Sequence, residues 1–470
     1  MQATKRALTL PTDHPSPWAP PSPGAPFTHP IAMPITTSCP VDGREFSRAT
    51  WVLPNYRASI ATATDLQWGK TTAGGWTKNR LPIVASFCPQ SPPLPSNLVV
   101  HSPRDSASFS ENPHLLCIVD DLILIRVAIG CPPDFISMLE CEYYVYRANP
   151  INPSIQLVPN PAPHFFHDHE VGLLPRGDHY IIAALVRVAG SLHDEFNLLL
   201  FSSRTGSWSN KKLAVESPLG FEVEIPMNGA RLLRHRTSTV ITIGGQDGTM
   251  GWVDLWRGIL LCDVLCDKPM LRNVPLPFPK NLLTGNNGIE QKLTSRPRMV
   301  RGIAFTKGCL KLVELDIDCT RTIDETGSGS FQVHNWRITT SSNDRMTGSW
   351  KDWKKDCTVQ ASDTVISDQM ISELRLLGLL HQPGLPLPCD TDAAAVQALQ
   401  NLAVTDPVPS ITDDGVVYLM ARVKYGHPKA CVIAIDLRKN TLQSVAKFGT
   451  ENQSSETAMY SPCIALFPSV

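Results

Sequence analysis

From about residue 113 onward, short runs of β-branched and aromatic residues alternate with polar turn-forming stretches, a period-2 texture that predicts strands rather than helices. Five times such a run enters a polar turn and returns: YYVYRANPINPSIQLV (143–158), NLLLFSSRTGSWSNKKL (197–213), GILLCDVLCDKPMLRNVPL (258–276), FQVHNWRITTSSNDRMTGSW (331–350) and CVIAIDLRKNTLQSV (431–445). Further strand-like stretches at 179–190, 238–245, 299–315 and 413–424 precede four of them. That makes about four strands per unit, the content of a propeller blade. The fold predicted is therefore all-β, a β-propeller-like array of about five to six four-stranded units. Anchored on Pro150, Gly206, Asp267, Gly348 and Asn440, the units are separated by 56, 61, 81 and 92 residues. These steps are longer and less regular than the ~40 to 50 residues of familiar propeller repeats. A β-rich domain without a true repeat is the plainer alternative.

The longest step contains ISDQMISELRLLGLL (366–380) and TDAAAVQALQNLAV (391–404). Val396, Leu399 and Leu402 recur there at helical spacing, so a short helical insertion is expected at about 366–404. Residues 1–45, rich in Pro and Ser, bury too little apolar surface to order themselves and are expected to form a disordered lead. The remainder, 46–470, is expected to be a single domain. CPQSPPLPSN (88–97) is expected to be a loop.

The segment GWVDLWRGILLCDVL (251–265) is predicted to be a hairpin. GWVDL is one strand, WRG the tip and ILLCDVL the return, with Ile259, Leu261, Asp263 and Leu265 on one face and Leu260, Cys262 and Val264 on the other. Asp254 opens the turn by accepting backbone N–H groups, and Gly258 closes it with a positive φ. In this reading Asp254→Asn is mild and Gly258→Val is damaging.

Together with VPSITDDGVVYLMARVK (408–424), that hairpin resembles the signature of a plant family, expanded in grasses and known by a domain of unknown function numbered 1618. The likeness runs over roughly 230–425, and WVLP (51–54) resembles the family's N-terminal strand. It implies a β-rich fold and a plant intracellular setting; it brings no reaction and no catalytic residues. The proline-rich lead departs from the family's usual form.

Charge and cysteine usage narrow the setting. With 42 basic and 43 acidic residues the net charge is −1, so neither nucleic acid nor an anionic membrane is favoured as partner. Thirteen cysteines, mostly inside apolar runs, fit a reducing compartment. The apolar runs at 115–130 and 180–190 are interrupted by charge and fall short of the ~18 residues of a membrane helix. A cytoplasmic or nuclear protein is expected. No apolar core follows Lys5 and Arg6 as a secretory signal requires, while an organellar transit segment stays open.

Candidate chemistry is sparse. TDLQWGKT (64–71) carries the Lys70 and Thr71 of a phosphate loop, but Thr64 replaces its first glycine, Leu66 and Trp68 crowd its crown, and TAGGW follows where a helix must begin. HFFHDHE (164–170) gathers His164, His167 and His169 with two acids, yet on a strand only His167 and His169 share a face, and a catalytic zinc needs three ligands. Cys262 and Cys266 would lie ~13 Å apart along a strand, too far for a disulfide or a shared zinc. Ser191, His193 and Asp194 are adjacent in sequence, which is no sign of a triad. Arg231, Arg234 and Arg236 of RLLRHR, and Trp353 within KDWKKD, are candidates for contact with a partner. No cofactor or metal is assigned. The reading that follows is a non-enzymatic interaction module whose partner is another protein, with no membrane role and nucleic acid disfavoured. Two alternatives stay open: a metal-dependent or other hydrolase using residues 164–170 or Asp254, and a nuclear regulator contacting nucleic acid through Arg231, Arg234 and Arg236.

Overall fold

The computed structural model describes residues 50–467 apart from 62–68, 103–108, 131–137, 139, 191–193, 216–226, 280–295, 324–328, 381–391, 413–414 and 449–464. Within it the chain folds blade by blade. Blade 1 takes β1 (Thr50–Pro54), β2 (Ser59–Ile60), β3 (Ala73–Trp76), β4 (Pro82–Cys88) and β5 (Pro95–His101). Blade 2 takes β6 (His114–Val119), β7 (Leu122–Val127), β8 (Glu142–Arg147) and β9 (Ser154–Val158). Blade 3 is β10 (Val171–Arg176), β11 (His179–Arg187), β12 (Glu195–Ser202) and β13 (Ser207–Ala214). Blade 4 is β14 (Thr239–Gly244), β15 (Thr249–Asp254), β16 (Gly258–Asp263) and β17 (Arg272–Pro275). Blade 5 is β18 (Arg301–Thr306), β19 (Cys309–Ile323), β20 (Gly329–Asn343) and β21 (Lys354–Gln360). Blade 6 is β22 (Ala403–Pro409), β23 (Val416–Arg422), β24 (Ala430–Asp436) and β25 (Thr441–Phe448).

Blades 2 to 6 are simple four-stranded antiparallel meanders in sequence order. Blade 1 is composite: β3, β4 and β5 are antiparallel, β1 and β2 run parallel to β5, and a final strand β26 (Ala465–Phe467) pairs antiparallel with β1. This is a six-bladed β-propeller, the array expected from the sequence. Four of the five hairpins recognised there are the outer two strands of blades 2, 3, 4 and 6; the remaining one, 331–350, holds β20 and its turn, and the return strand β21 begins only at Lys354. Blade 1 went unrecognised, and the loop expected at 88–97 is shorter, because Pro95–His101 is a strand.

A ring follows from burial on both faces. Along β16, Ile259 and Leu261 join Val253 and Leu310 in the seam between blades 4 and 5, while Leu260 and Cys262 join Trp252 and Phe196 in the seam between blades 3 and 4. The same division recurs between blades 1 and 2 (Phe87 with Ile123), 2 and 3 (Tyr143 with Leu173), and 5 and 6 (Ile338 with Leu419). Leu53 of β1 lies among Val416, Met420 and Val432, which makes the seam between blades 6 and 1. A strand buried on both faces loses its polar side, and the clean alternation gives way to near-continuous apolar runs such as LILIRV.

The helical insertion is present as α1 (Asp368–Leu376) and α2 (Asp392–Gln400). Met370 and Leu374 of α1, with Leu399 at the end of α2 and Leu402 just after it, join the seam between blades 5 and 6. The Trp336 indole donates to the Leu399 carbonyl at 3.0 Å and fixes the insertion to β20.

Tryptophans staple other seams in the same way. Trp208 donates to the Pro159 carbonyl at 2.6 Å, Trp252 to Glu170 at 2.8 Å and Trp353 to Pro275 at 2.7 Å. The shared TGSW tetrapeptides are not equivalent: the first turns between β12 and β13 with Gly206 at φ +66°, whereas the second enters a short helical turn, and Trp353 rather than Trp350 makes the staple.

Near the axis, inner strands approach closely where glycine permits. A Cβ on Gly302 of β18 would lie 1.7 Å from the Pro407 carbonyl oxygen of β22, and one on Gly172 of β10 would lie 2.7 Å from Val240 of β14. Gly302→Ala must displace backbone and should lose about 3 kcal/mol or more. Gly308→Ala, at φ +76° but in open space, should lose about 1 kcal/mol, and thermal unfolding of the pair checks the order.

Candidate functional site

The chain enters every inner strand at the same end of the ring, so the loops between blades and the loops from second to third strand share one face. Residues 164–170, 231–236 and 254–258 lie on this entry face, brought together by topology from three loops.

Asp254 ends β15 and is fully buried. Its carboxylate accepts from Arg231 Nη1 at 2.9 Å and Nη2 at 3.1 Å, and from the amides of Arg236 at 2.8 Å and Trp256 at 3.0 Å. Its carbonyl accepts from the Arg257 amide at 2.9 Å, closing the turn. Burial pushes the carboxyl pKa up, against the pull of Arg231 and the two amides. Such a group holds the inter-blade loop onto the hairpin, and both its oxygens are occupied. Two expectations are corrected here. Gly258 lacks a positive φ; glycine is needed because a Cβ would come within 2.7 Å of the Val274 carbonyl oxygen on β17. The return strand stops at Asp263, leaving Leu265 in the following turn.

Arg231 is thus a structural cation, whereas Arg234 and Arg236 are exposed. His235 between them is buried edge-on to Phe196, and burial beside Arg257 and Arg231 keeps it neutral. Trp353 is half-buried in the seam between blades 4 and 5.

The 164–170 segment divides. His164 Nε2 meets Asn210 Nδ2 at 3.0 Å toward the outer strand β13. His167 and His169 are exposed and stack at 5.6 Å with parallel planes. Asp168 turns the other way, accepting from Arg126 Nε at 2.8 Å and Nη2 at 3.0 Å and contacting His114 Nδ1 at 3.1 Å. Arg126 also donates to Glu111 at 2.7 Å and is only 3% exposed. Despite burial, His114 and Arg126 hold Glu111 down to about 2, and Asp168 and Glu111 raise the His114 pKa. Glu170, bonded to the His167 amide at 2.8 Å, has its pKa raised by burial. Among the described residues, no three His, Cys, Asp or Glu side chains converge as a metal centre requires.

Sequence reasoning missed Arg126, His114 and Glu111, and also Arg257, which binds Asp194 at 3.0 Å. A lone arginine inside LILIRV was the available signal, since a buried guanidinium demands acidic partners. Lys70 and Thr71 lead into β3, not a helix, and the Thr71 hydroxyl donates to the Phe87 carbonyl at 2.9 Å; residues 64–68 of that motif, and Ser191 and His193, lie outside the described residues. The nine described cysteines are free thiols.

One further feature rises from this face. The hairpin of β19 and β20 outruns its neighbours: β18 stops pairing at Glu314 and β21 at Arg337, while the pair continues to Ile323 and Gly329. The extension is roughly 20 Å long, and its lower part, with Ile317, Val333 and Trp336, packs against the helical insertion. Near its end Phe331 is 48% exposed, edge-on to Tyr425 of the loop after β23 at 6.3 Å.

Fold and face together define a six-bladed propeller with a charge-fastened entry face. Residues 252–418, from β15 to β23, match the family described as protein of unknown function (DUF1618). The resemblance carried by the hairpin and by VPSITDDGVVYLMARVK is therefore borne out over that segment, and no curated protein matches the chain. Among solved structures, the chain is similar to the Trypanosoma rangeli sialidase in complex with a difluorinated nononic acid, at 11% identity and TM-score 0.30, covering 85% of this chain and 51% of the sialidase. It thus spans about half of that protein's length. It is similar also to an endo-arabinanase from Bacillus licheniformis, at 12% identity and TM-score 0.26 over 74% of this chain and 97% of the other. A Penicillium chrysogenum α-L-arabinanase complexed with arabinobiose gives 10% identity and TM-score 0.24 over 70% and 89%. Scores this low carry no argument about activity.

Asp254→Asn leaves the Arg231 charge without its buried partner and should lose about 3 kcal/mol. Gly258→Ala, a milder intrusion than valine, should lose about 1 to 3 kcal/mol. Thermal unfolding ranks the two, and an Asp254→Asn protein that melts like the parent would remove the ion pair from the stability of this face. The raised His114 pKa sets a sign in pH: its contribution is full below the ordinary value of 6.5 and is lost as pH rises through the higher folded value. The melting temperature should therefore fall as pH rises above about 6.5, and His114→Gln should flatten that slope.

Proposed function

We propose that this chain is a non-enzymatic protein-interaction propeller of the cytoplasm or nucleus, binding another protein on its entry face. The observation that carries this reading is the β19–β20 ribbon, which outruns β18 and β21 and presents the half-exposed Phe331 ring near its end. An exposed aromatic near such a tip is the kind of anchor that protein interfaces bury. The charged groups of the same face support it, because Arg126, Asp168, Arg231 and Asp254 are engaged with one another rather than turned outward. No helix among the described residues is long and apolar enough to cross a membrane.

A hydrolytic second reading rests on His167, His169 and Glu170. Crowding by the protein, His167 and Arg298 lower the His169 pKa to about 4, and burial raises the Glu170 carboxyl, which puts two groups of shifted acidity in one exposed segment. A turnover abolished by His169→Ala in an otherwise stable protein would establish that reading in place of the first.

The interaction reading is tested by affinity capture with the parent, Phe331→Asp and, as control, Leu233→Asp at a site 61% exposed elsewhere on the same face. Partners held by the parent and by the control should be lost from Phe331→Asp, with melting temperatures within about 2 °C. A partner set indifferent to Phe331→Asp would move the binding surface off the ribbon.

A further inference from the structure

The face of blade 5 turned toward blade 4 changes character halfway along. Its lower half, Leu310 and Leu312 of β19 with Ile303 and Phe305 of β18, packs against Val253, Ile259 and Val274 as every seam does. One pleat further the same face turns polar: Arg301, Glu314, Thr339 and Thr358 stand opposite one another across all four strands, followed by Asp316 opposite Arg337. Opposite them the chain leaving blade 4 presents Phe278 and Pro279, and a cleft of about 350 Å³ lies between.

Polar pairs stand at the entry end of other seams too, Arg126 with Asp168 and Arg257 with Asp194, but here the row spans all four strands and borders a cleft, the setting in which polar groups hold a ligand. Arg301, 1% exposed, donates to the Leu255 and Pro277 carbonyls at 3.0 and 2.8 Å and to Glu314, but its Nε has no partner among the described residues. A buried donor left unsatisfied is destabilising, and it lies on the wall of the cleft. The rim adds Arg337, paired with Asp316, and the exposed Lys355. Three cations against two carboxylates leave the lining with one positive charge in excess. Thr339 and Thr358 offer hydroxyls 3.3 Å apart, while Phe278 and Pro279 offer an apolar wall.

We infer that this cleft is a binding site for a compact organic anion, a carboxylate or phosphate ester carried on an apolar body. The anion meets Lys355 and Arg337 at the rim, its polar atoms meet the two threonines, and its apolar part lies against Phe278. The site lies at the entry-face end of the seam between blades 4 and 5, at the foot of the ribbon; it does not rest on the protein-binding reading, and it falls within the family-matched segment.

The test uses benzoate and phenyl phosphate as probes on the full chain, read by ligand-observed NMR titration and by perturbation of the threonine methyl signals. Lys355 pairs with Ser341 on the cleft face, and its neighbour Lys354 pairs with Ser342 on the opposite one, so Lys355→Glu and Lys354→Glu make the same charge change on two sides of one strand. Saturable binding of at least one probe is expected, weakened about tenfold or more in Lys355→Glu and Thr358→Val and unchanged in Lys354→Glu. Absence of saturable binding by both probes, or equal weakening by both lysine variants, overturns the proposal. Melting temperatures of all variants, measured beside the titrations, separate loss of the site from loss of the fold, and a variant that unfolds is replaced by Lys355→Gln.

Discussion

Everything in this molecule depends on sheets that are apolar on both faces. A sheet with one wet face can end in solvent, but a blade whose odd and even residues are both buried needs a neighbour on each side, and that requirement ends only when the sixth seam meets the first strand. Leu53 makes that closure, together with the pairing of β1 and β26. The long apolar runs, the staples from tryptophan to carbonyl and the close approach at Gly302 all serve one need, to hold flat twisted sheets face to face without voids.

On the entry face the same economy governs charge. Loops between blades vary in length and need fastening, and they are fastened by buried arginines reaching across seams: Arg126 to Asp168, Arg257 to Asp194, Arg231 to Asp254 and Arg301 to the Leu255 carbonyl. A guanidinium suits this role because its fork satisfies several acceptors at once in a fixed plane. Among the described residues, charged side chains in these loops are therefore often structural, whereas Arg234 and Arg236 are left to solvent.

The sequence disclosed blades 2 to 6 because their outer hairpins carry turn residues between apolar runs, and Asn440 at φ 53° shows how far a single turn residue reveals a register. It concealed blade 1, whose strands are short, interrupted by proline, and joined in parallel across distant segments. Asp254 was legible as a turn residue from its place before a glycine, but not as half of an ion pair, since Arg231 reaches it from a separate loop. The polar row of blade 5 was hidden for the same reason: Arg301, Glu314, Thr339 and Thr358 are distant in the chain, and only strand register places them side by side.

The seam that Leu53 shares with Val416, Met420 and Val432 also bears on biosynthesis. Blades 2 to 5 are local in sequence and can assemble as they leave the ribosome, whereas β1 appears first and finds its apolar partners only after blade 6 has been made. During that interval one face of the first strand and one of the growing stack are uncovered, a hydrophobic surface of the kind that chaperones hold. Completion is then a single long-range event, so the native ring gains its last cooperativity from the contact with the greatest separation along the chain.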